Sequence, residues 1–254
     1  MKQLLLSIAL ILTFSLNSQI AVMTAVDLKD GAEGDYLKLE KFYSEIHKEA
    51  IKQGFRTGWS LWKAPDDPND PSAPEYILFD NFTEKQLEAL NNGEGPNVLE
   101  MAIKAYKGKM SKRRVEKMLG SWQDSSKDRR SYTLKLVDAT ILAGGDIKPG
   151  DKVSINFMTK KSEDFENYET KVWKPVAEKN ILKGNLRQWA LVEAIGRSDN
   201  ARTGWSHMVF NLQAANPGDW DGMSGFKWDK LWEGIESSRD MTEATILTCV
   251  MVAQ

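Results

Sequence analysis

The alternation of hydrophobic and polar positions predicts two similar halves in this chain. Each half opens with a strand-like segment, "AVMTAVDLK" or "KVSINFMTK", and the second of these alternates with the period of two that is typical of a strand. A long amphipathic helix follows each strand, over 35–53 and over 162–183. Gly54 and Gly184 stand just after these helices, where a glycine C-cap is expected.

The remaining elements also come in the same order in both halves. A strand ("FRTGWSLWKA" or "LRQWALVEAI"), a hairpin loop and a third strand precede a second helical region and a final strand. This β-α-β-β-α-β order is the ferredoxin-like arrangement, which leaves one face of its sheet bare. The predicted fold class is therefore α+β, with two tandem ferredoxin-like units, 20–145 and 146–254, whose sheets pack face to face as a pseudo-dimer.

An internal repeat supports this division. "FYSEIHKEAIKQGFRTGW" aligns with "VWKPVAEKNILKGNLRQW" without gaps at a separation of 130 positions, which places Trp59 over Trp189. The strands "YILFDNF" and "HMVFNLQ" match at a separation of 131. The pentapeptide "RTGWS" occurs twice, at 56–60 and 202–206, but its separation of 146 does not fit the repeat. We therefore interpret the recurrence of the pentapeptide as coincidental.

The N-terminal segment has the pattern of a secretory signal peptide. Lys2 supplies the positive charge, 4–14 is apolar but too short to span a bilayer, and small or polar residues lead to a cleavage point near Ser18 or Gln19. We expect residues 1–19 to be removed and the mature chain to be exported to the periplasm or the outside of the cell. No later segment is long and apolar enough to predict a membrane span.

Composition and charge narrow the possible partners. The 254 residues include 34 Lys and Arg against 36 Asp and Glu, so no basic surplus indicates a nucleic-acid partner. Cys249 is the single cysteine, which excludes an internal disulfide. We expect a small-molecule ligand, and a monomer or weak homo-oligomer, because the two fused halves can complete a barrel within one chain.

The segments "YSEIHKEAIKQGFRTGWSLWKAP" and "VWKPVAEKNILKGNLRQWALVEAI" resemble the dimeric α/β-barrel superfamily. That superfamily includes NIPSNAP-like proteins, cofactor-free monooxygenases of the antibiotic-biosynthesis type, haem proteins such as chlorite dismutase, and exported bacterial proteins of unassigned activity. The resemblance implies a site between the sheet and the helices. A site without a cofactor is favoured over a site that binds haem.

The two histidines are the first candidates for chemistry, because His is the usual general base near neutral pH. His47 shares a helix face with Tyr43, and this pair is the candidate catalytic group. His207 lies in a strand and aligns with Tyr76. A hydrogen-bonded histidine at the edge of the core is the favoured alternative for both. The sequence has no zinc motif, phosphate-binding loop or nucleophile elbow.

Aromatic residues are the candidate ligand-binding group. Trp59, Trp189, Trp173 and Tyr76, together with His207, could line a pocket for a planar molecule, although core packing is the favoured role for tryptophan.

Polar residues at strand ends complete the candidates. Arg56 and Arg187 lie at strand starts and could hold a carboxylate or phenolate, with a solvated surface position as the favoured alternative. Asp80 and Asn211 align after the third strands, where a helix cap is preferred to a substrate contact.

The sequence thus indicates an exported protein that binds a small aromatic or amphipathic molecule in a cavity between sheet and helices. The alternative is a cofactor-independent monooxygenase-like enzyme, or less favourably a haem-dependent one. Whether the protein is an enzyme stays open at this point.

Overall fold

The computed structural model describes residues 19–67, 70 and 72–254. The predicted signal peptide, 1–19, lies outside the described residues, apart from Gln19.

The first half of the chain contains four strands and four helices. They are β1 (Gln19–Leu28), α1 (Glu33–Lys52), β2 (Gly58–Lys63), β3 (Tyr76–Thr83), α2 (Glu84–Asn91), α3 (Val98–Ala105), α4 (Lys112–Gly120) and β4 (Ser126–Ala139).

The second half follows after a connecting segment, 140–151. Its elements are β5 (Lys152–Lys160), α5 (Phe165–Tyr168), a π-helical turn (Glu169–Trp173), α6 (Lys174–Leu182), β6 (Leu186–Arg197), β7 (His207–Gln213), α7 (Phe226–Ser238), β8 (Arg239–Met241) and β9 (Thr245–Ala253).

Eight of these strands form one closed antiparallel barrel. The first half contributes the order β4-β1-β3-β2 and the second half the order β9-β5-β7-β6. The ring closes where β2 pairs with β9, as in Trp59 beside Ala253, and where β4 pairs with β6, as in Leu136 beside Val192. The short strand β8 extends the pairing of β5 beyond the end of β9. The predicted α+β class is confirmed, and the two sheets are joined edge to edge into a single barrel.

The interior of the barrel is a packed apolar core. Alternate strand residues point inward, and Phe79 and Phe210 meet edge to face with ring centroids 4.9 Å apart. The most deeply buried members of this core are Val153, Met208, Leu247, Leu134, Ile155 and Trp62. Because buried apolar side chains pack together across the barrel interior, a ligand site is expected on the outer face of the sheet.

The helices cover that outer face in two places. Helix α1 packs on Trp59, Leu61 and Leu78, whereas the helical segment 165–182 packs on Trp189 and Leu191. Helices α3 and α4 in turn cover the far side of α1. In the described part of the chain, no helix combines the length and apolarity that crossing a bilayer requires.

The two predicted glycine C-caps are confirmed. Gly54 and Gly184 directly follow the C-cap residues of α1 and α6, and their φ angles are +79° and +76°. Glycine is the residue that adopts this left-handed conformation without a steric penalty.

The helix predicted over 162–183 is present as one helical run over 165–182, but it is not α-helical throughout. It begins at Phe165, and its middle turn is π-helical over Glu169–Trp173 before α6 starts at Lys174. Pro175, in the first turn of α6, lacks the N–H that would donate to an earlier carbonyl. A π-helical turn accommodates one residue more than an α-helical turn, so this helix carries an extra residue relative to α1.

The two "RTGWS" pentapeptides occupy unrelated places. Trp59 lies on the outer face of the barrel beneath α1. Trp205 instead packs at the end of the interior core, with its ring 5.1 Å from Tyr132 and 4.9 Å from Phe157. The recurrence therefore marks no shared structural role.

Candidate functional site

A polar cluster interrupts the apolar layer between α1 and the outer face of the first four strands. Asp80 lies in the middle of β3, beside Val22 of β1 and Trp59 of β2. His47 of α1 stacks on the ring of Trp59, with centroids 4.7 Å apart and planes inclined by 17°. The helix thus places an imidazole directly above the strand that carries a carboxylate.

Arg56 joins this histidine to this carboxylate. Its Nη1 donates to Nδ1 of His47 at 2.6 Å and forms an ion pair with Asp80. The guanidinium also lies 5.4 Å from the centroid of the Phe82 ring. Because Nδ1 of His47 accepts this hydrogen bond, the neutral ring carries its proton on Nε2.

Burial decides how these groups titrate. It holds the pKa of His47 well below its usual range, and the positive charge of Arg56 acts in the same direction. Burial raises the pKa of Asp80, against the opposing effect of Arg56 and Arg129. His47 is therefore neutral at physiological pH and hydrogen-bonded to Arg56 rather than charged.

A second carboxyl group lies further along the same helix. The side chain of Glu40 is 4% exposed, and its Oε1 lies 3.9 Å from Nη2 of Arg129 on β4. Burial raises the pKa of Glu40 to about 7, although Arg129 opposes this effect. A carboxyl with such a pKa can both accept and hold a proton at neutral pH, which is the property required of a general acid or base.

Tyr43 lies one turn from Glu40 and one turn from His47. Its ring centroid is 6.3 Å from that of His47, and its hydroxyl donates to the carbonyl of Leu119 at 3.3 Å. Burial, followed by the charge of Glu40, raises the pKa of this hydroxyl. Tyr43 and His47 both face the protein rather than solvent, but the hydroxyl of Tyr43 is already engaged by backbone.

An open cleft of about 740 Å³ lies beside this cluster, on the outer face of β1 and β4. Arg129 lines the cleft while its guanidinium also faces Glu40, and it lies 5.8 Å from the ring of Trp122, which is 47% exposed. The other lining residues are Thr24, Lys29, Gln123, Ser126, Lys127, Asp128 and Ser131. Three cations and one carboxylate line the cleft beside an indole, and one of the cations, Lys127, lies 3.6 Å from the buried Asp27.

The second half contains a fully buried counterpart of the pair formed by Glu40 and Arg129. Glu169, in the π-helical turn, is 0% exposed, and Nε of Arg239 lies 2.8 Å from its Oε1. Burial raises the pKa of Glu169 to about 7. Both partners are buried, so this pair has no access to solvent comparable to that of Arg129.

The predicted aromatic residues are placed mainly in packed layers. Trp59 and Trp189 are 1% and 0% exposed, one under each helical cover. In the described part of the chain neither indole N–H has an acceptor. Tyr76 is also buried, and its hydroxyl donates to Glu33 at 2.7 Å. These side chains do not line the 740 Å³ cleft, and their assignment as ligand contacts stays a prediction.

Trp173 belongs to a different environment from the other predicted aromatic residues. It is half-buried and stacks on Trp220 with planes inclined by 16°, while Trp232 approaches it at 5.9 Å. His207 is 1% exposed and contacts the ring of Phe165.

Three expectations about polar residues were wrong. Arg56 is not a solvated side chain, because it is 17% exposed and contacts both His47 and Asp80. Asp80 lies inside β3 and pairs with Arg56, whereas Thr83 caps α2 by accepting from the backbone N–H of Gln86. Arg187 is neither a solvated side chain nor a cleft residue. It bonds Asp151 at 2.6 Å and three carbonyls of the segment 143–146, so it holds the connection between the two halves in place.

The tautomer that Arg56 imposes on His47 does not suit a haem iron. The nitrogen of His47 that would bind a metal carries the proton, because Arg56 donates to the other nitrogen, and a metal-binding histidine needs the reverse arrangement. His207 is buried with Nδ1 2.9 Å from Ser206 Oγ and Nε2 3.6 Å from Glu166. Within the described residues, no three potential ligands converge on a metal position.

Glu40, Arg129 and Trp122 were missed from the sequence. The sequence pattern does not distinguish Glu40, because this residue lies within an amphipathic helix that also carries many solvent-facing carboxylates. The detectable signal was its position three residues before Tyr43, on the same face of the helix.

Comparison with solved structures agrees with the predicted fold. The chain is similar to an anthrone oxidase-like protein (TM-score 0.53, 8% identity), with 93% of this chain and 92% of the other covered. It is also similar to a candidate monooxygenase of Fusobacterium nucleatum (TM-score 0.56, 10% identity, 94% and 95% covered). A third is a candidate monooxygenase of Lactobacillus acidophilus (TM-score 0.52, 13% identity, 93% and 96% covered).

These neighbours have the dimeric α/β-barrel fold, so the resemblance noted in the sequence is confirmed at the level of the fold. No family model and no curated protein sequence matches the chain. At identities of 13% or less the comparison defines the architecture and not the site.

Proposed function

We propose that this protein binds a small aromatic molecule with an acidic group, a phenol or an aromatic carboxylate, in the cleft between Trp122 and Arg129. The single observation that carries the proposal is the position of Arg129. Its side chain lines the cleft, lies over the ring of Trp122 and lies 3.9 Å from the buried Glu40. One residue therefore links an aromatic surface, a positive charge and a group that exchanges protons near neutrality.

The charges of the cleft set the class of ligand. Arg129 offers a planar fork of donors that matches a carboxylate or phenolate oxygen. Lys29 and Lys127 add positive charge at the rim. The exposed face of Trp122 provides a surface against which an aromatic ring can stack. A volume of about 740 Å³ accommodates a ligand of two or three fused rings.

Titration calorimetry with 1-hydroxy-2-naphthoate tests the binding proposal. Replacing Arg129→Gln removes a charge-assisted hydrogen bond of about 1.5–3 kcal/mol, which corresponds to roughly 10- to 100-fold weaker binding. Trp122→Ala should weaken binding about 3- to 10-fold through lost stacking. Matched controls are Arg113→Gln on the exposed surface of α4 and Trp220→Ala, a tryptophan that is 44% exposed elsewhere.

The control variants show whether the titration reports on the cleft or only on overall charge. They should bind the naphthoate like the unmodified protein. Equal losses for Arg129→Gln and Arg113→Gln would show that the naphthoate senses only overall charge, and the cleft would then not be the site.

Cofactor-independent oxidation is the second candidate function, and Glu40 favours it. A buried carboxyl with a pKa of about 7 can accept a proton near neutral pH. Glu40 does not line the cleft, so this function requires a bound aromatic ketone or phenol to reach past Arg129 to the carboxyl. Arg129 would then stabilise the oxyanion that remains. The names of the structural neighbours, one anthrone oxidase-like and two candidate monooxygenases, support this candidate without deciding it.

Anthrone is the direct probe of this second function. Its oxidation by dioxygen gives anthraquinone and one water molecule, so the reaction balances without a further oxidant. If Glu40 accepts the proton, Glu40→Gln should slow anthraquinone formation about 100-fold or more, and Glu178→Gln on the exposed surface should not. Naphthoate binding without anthrone turnover would support the ligand-binding function and would exclude the oxidase function.

We also propose that the two halves are a tandem pair equivalent to the two subunits of a dimeric α/β barrel. Each half has the same order of strands, and Phe79 and Phe210, 131 positions apart, meet in the barrel centre. The buried Glu40 and Glu169 recur 129 positions apart, whereas the helix residues that follow them recur 130 positions apart. The extra residue of the π-helical turn explains this change in separation. Because one chain closes the ring, light scattering should give a monomer near or below 28.7 kDa, depending on removal of the N-terminal segment.

Export to the periplasm or beyond, with cleavage near residue 19, is part of the same proposal and rests on the N-terminal sequence. N-terminal sequencing of the protein from an exported fraction would test it. A mature chain that still begins at Met1 would exclude cleavage.

A further inference from the structure

A serine, a histidine and a glutamate form a chain of contacts in the second half, well apart in sequence from the first cleft. Ser206 is the last residue of the loop before β7, and His207 is the first residue of that strand. The hydroxyl Oγ of Ser206 lies 2.9 Å from Nδ1 of His207. On the other side of the imidazole, Nε2 lies 3.6 Å from Oε1 of Glu166 in α5.

The surrounding hydrogen bonds favour one direction for the serine proton. The backbone N–H of Lys160 donates to Ser206 Oγ at 2.9 Å, so the serine oxygen is already an acceptor. Its proton can go to His207 Nδ1 at 2.9 Å or to the carbonyl of Met158 at the longer distance of 3.3 Å. Donation to Nδ1 requires the tautomer with a proton on Nε2, the nitrogen that faces the carboxylate of Glu166.

This arrangement contains the groups of an activated nucleophile. The nucleophile is within hydrogen-bond reach of a base, and a carboxylate lies 3.6 Å from the other nitrogen of that base, just beyond hydrogen-bond length. Burial lowers the pKa of His207, so the ring is neutral and able to accept a proton at physiological pH. Ser206, in contrast, is only partly buried.

Ser206 also opens onto its own cleft, with a volume of about 460 Å³. Its lining residues are Thr159, Lys160, Lys161, Ser162, Glu163, Thr203, Gly204, Trp205 and Ser206. None of them lines the cleft at Trp122. Two lysines, a glutamate and an indole line this cleft, and both lysines are ion-paired, Lys160 with Glu163 and Lys161 with Asp240. A small cleft with an indole suits a short acyl group and an aromatic leaving group.

We propose that Ser206, His207 and Glu166 form a second site that hydrolyses small esters by acyl transfer. Ser206 Oγ attacks the acyl carbonyl while its proton passes to Nδ1 of His207. The ester C–O bond then breaks, and the alcohol or phenol leaves with that proton. Water, deprotonated by His207, hydrolyses the acyl-serine and restores the hydroxyl. Glu166 is a positioning residue, because it contacts the imidazole and not the reacting atoms.

Hydrolysis of 4-nitrophenyl acetate and labelling by a fluorophosphonate test this site in the full protein. Ser206→Ala should lower the rate about 100-fold or more, toward the rate in buffer, and should abolish the label. The matched control is Ser162→Ala, a serine that lines the same cleft and has no histidine contact among the described residues. That variant should stay within about twofold of the unmodified rate.

Peptide mapping of the labelled protein keeps the test independent of how the variants fold. A phosphonate on Ser206 of the unmodified protein supports the site. No label, or a label on another residue, overturns the proposal, as does hydrolysis that persists in Ser206→Ala. Glu166→Gln should shift the pH profile of hydrolysis, because it alters the group that faces Nε2 of His207; an unchanged profile would remove Glu166 from its positioning role.

Discussion

Glu40 should make the stability of this protein fall as the pH rises through neutrality. The pKa of this carboxyl is raised from 4.5 to about 7, because folding removes it from water and Arg129 compensates only in part. Between these two pH values the folded state holds a proton that the unfolded state has released. The free energy of unfolding therefore decreases as the pH rises from about 4.5 to 7.

The size of the effect follows from the same two pKa values. At 1.36 kcal/mol per pH unit, ionised Glu40 costs the folded state about 3 kcal/mol above pH 7.5. Glu40→Gln keeps the shape of the side chain and its ability to accept from Arg129, but it removes the titration. The variant should gain up to about 3 kcal/mol relative to the unmodified protein at pH 8, and this gain should shrink to near zero at pH 4.5.

Urea unfolding at several pH values between 4.5 and 8 measures this difference. The comparison must be made between variants, because other buried groups also titrate in the unmodified protein: Glu169 in the same sense as Glu40, and His47 and His207 in the opposite sense. Glu178→Gln, on the exposed surface of α6, is the matched control and should leave the profile unchanged. A difference between Glu40→Gln and the unmodified protein that stays constant with pH would refute the assignment of the raised pKa to Glu40.

Three further substitutions test other parts of the structure. Arg187→Met leaves Asp151 without its buried partner and should lower the free energy of unfolding by about 3–5 kcal/mol in urea, whereas the double variant with Asp151→Asn should recover part of that loss. Gly234→Ala places a Cβ 2.4 Å from the ring of Tyr168, so thermal unfolding should show a destabilisation of about 1–3 kcal/mol that Tyr168→Ala relieves. His47→Gln should reduce the loss of stability below pH 6.5 seen by circular dichroism, because protonating a buried histidine beside Arg56 opposes folding; an identical acid profile would contradict this account.

Much of the architecture followed from local sequence signals. The alternation in "KVSINFMTK" and the glycines at 54 and 184 indicated strands and helix ends that the structure contains. The ungapped repeat also indicated the order of elements in each half. These features depend on residues near in sequence, where periodicity and backbone preference act directly.

The candidate site depended instead on contacts between distant residues. Glu40 and Arg129 are 89 positions apart, and a charged residue within an amphipathic helix is usually on its solvated face. Arg187 anchors the connecting segment through carbonyls more than forty positions away, which no local pattern shows. The π-helical turn was equally hidden, since its one extra residue leaves the apolar pattern nearly unchanged.

The most direct test of the central claim is to locate a bound aromatic acid on the protein. Benzophenone-4-carboxylate can be photo-crosslinked to the protein and the labelled peptides identified by mass spectrometry. The account predicts that the label is concentrated between Trp122 and Ser131, around Arg129, and that Arg129→Gln reduces it. A label concentrated instead at residues 159–163 and 203–206, or spread evenly over the surface, would contradict the assignment of the ligand site.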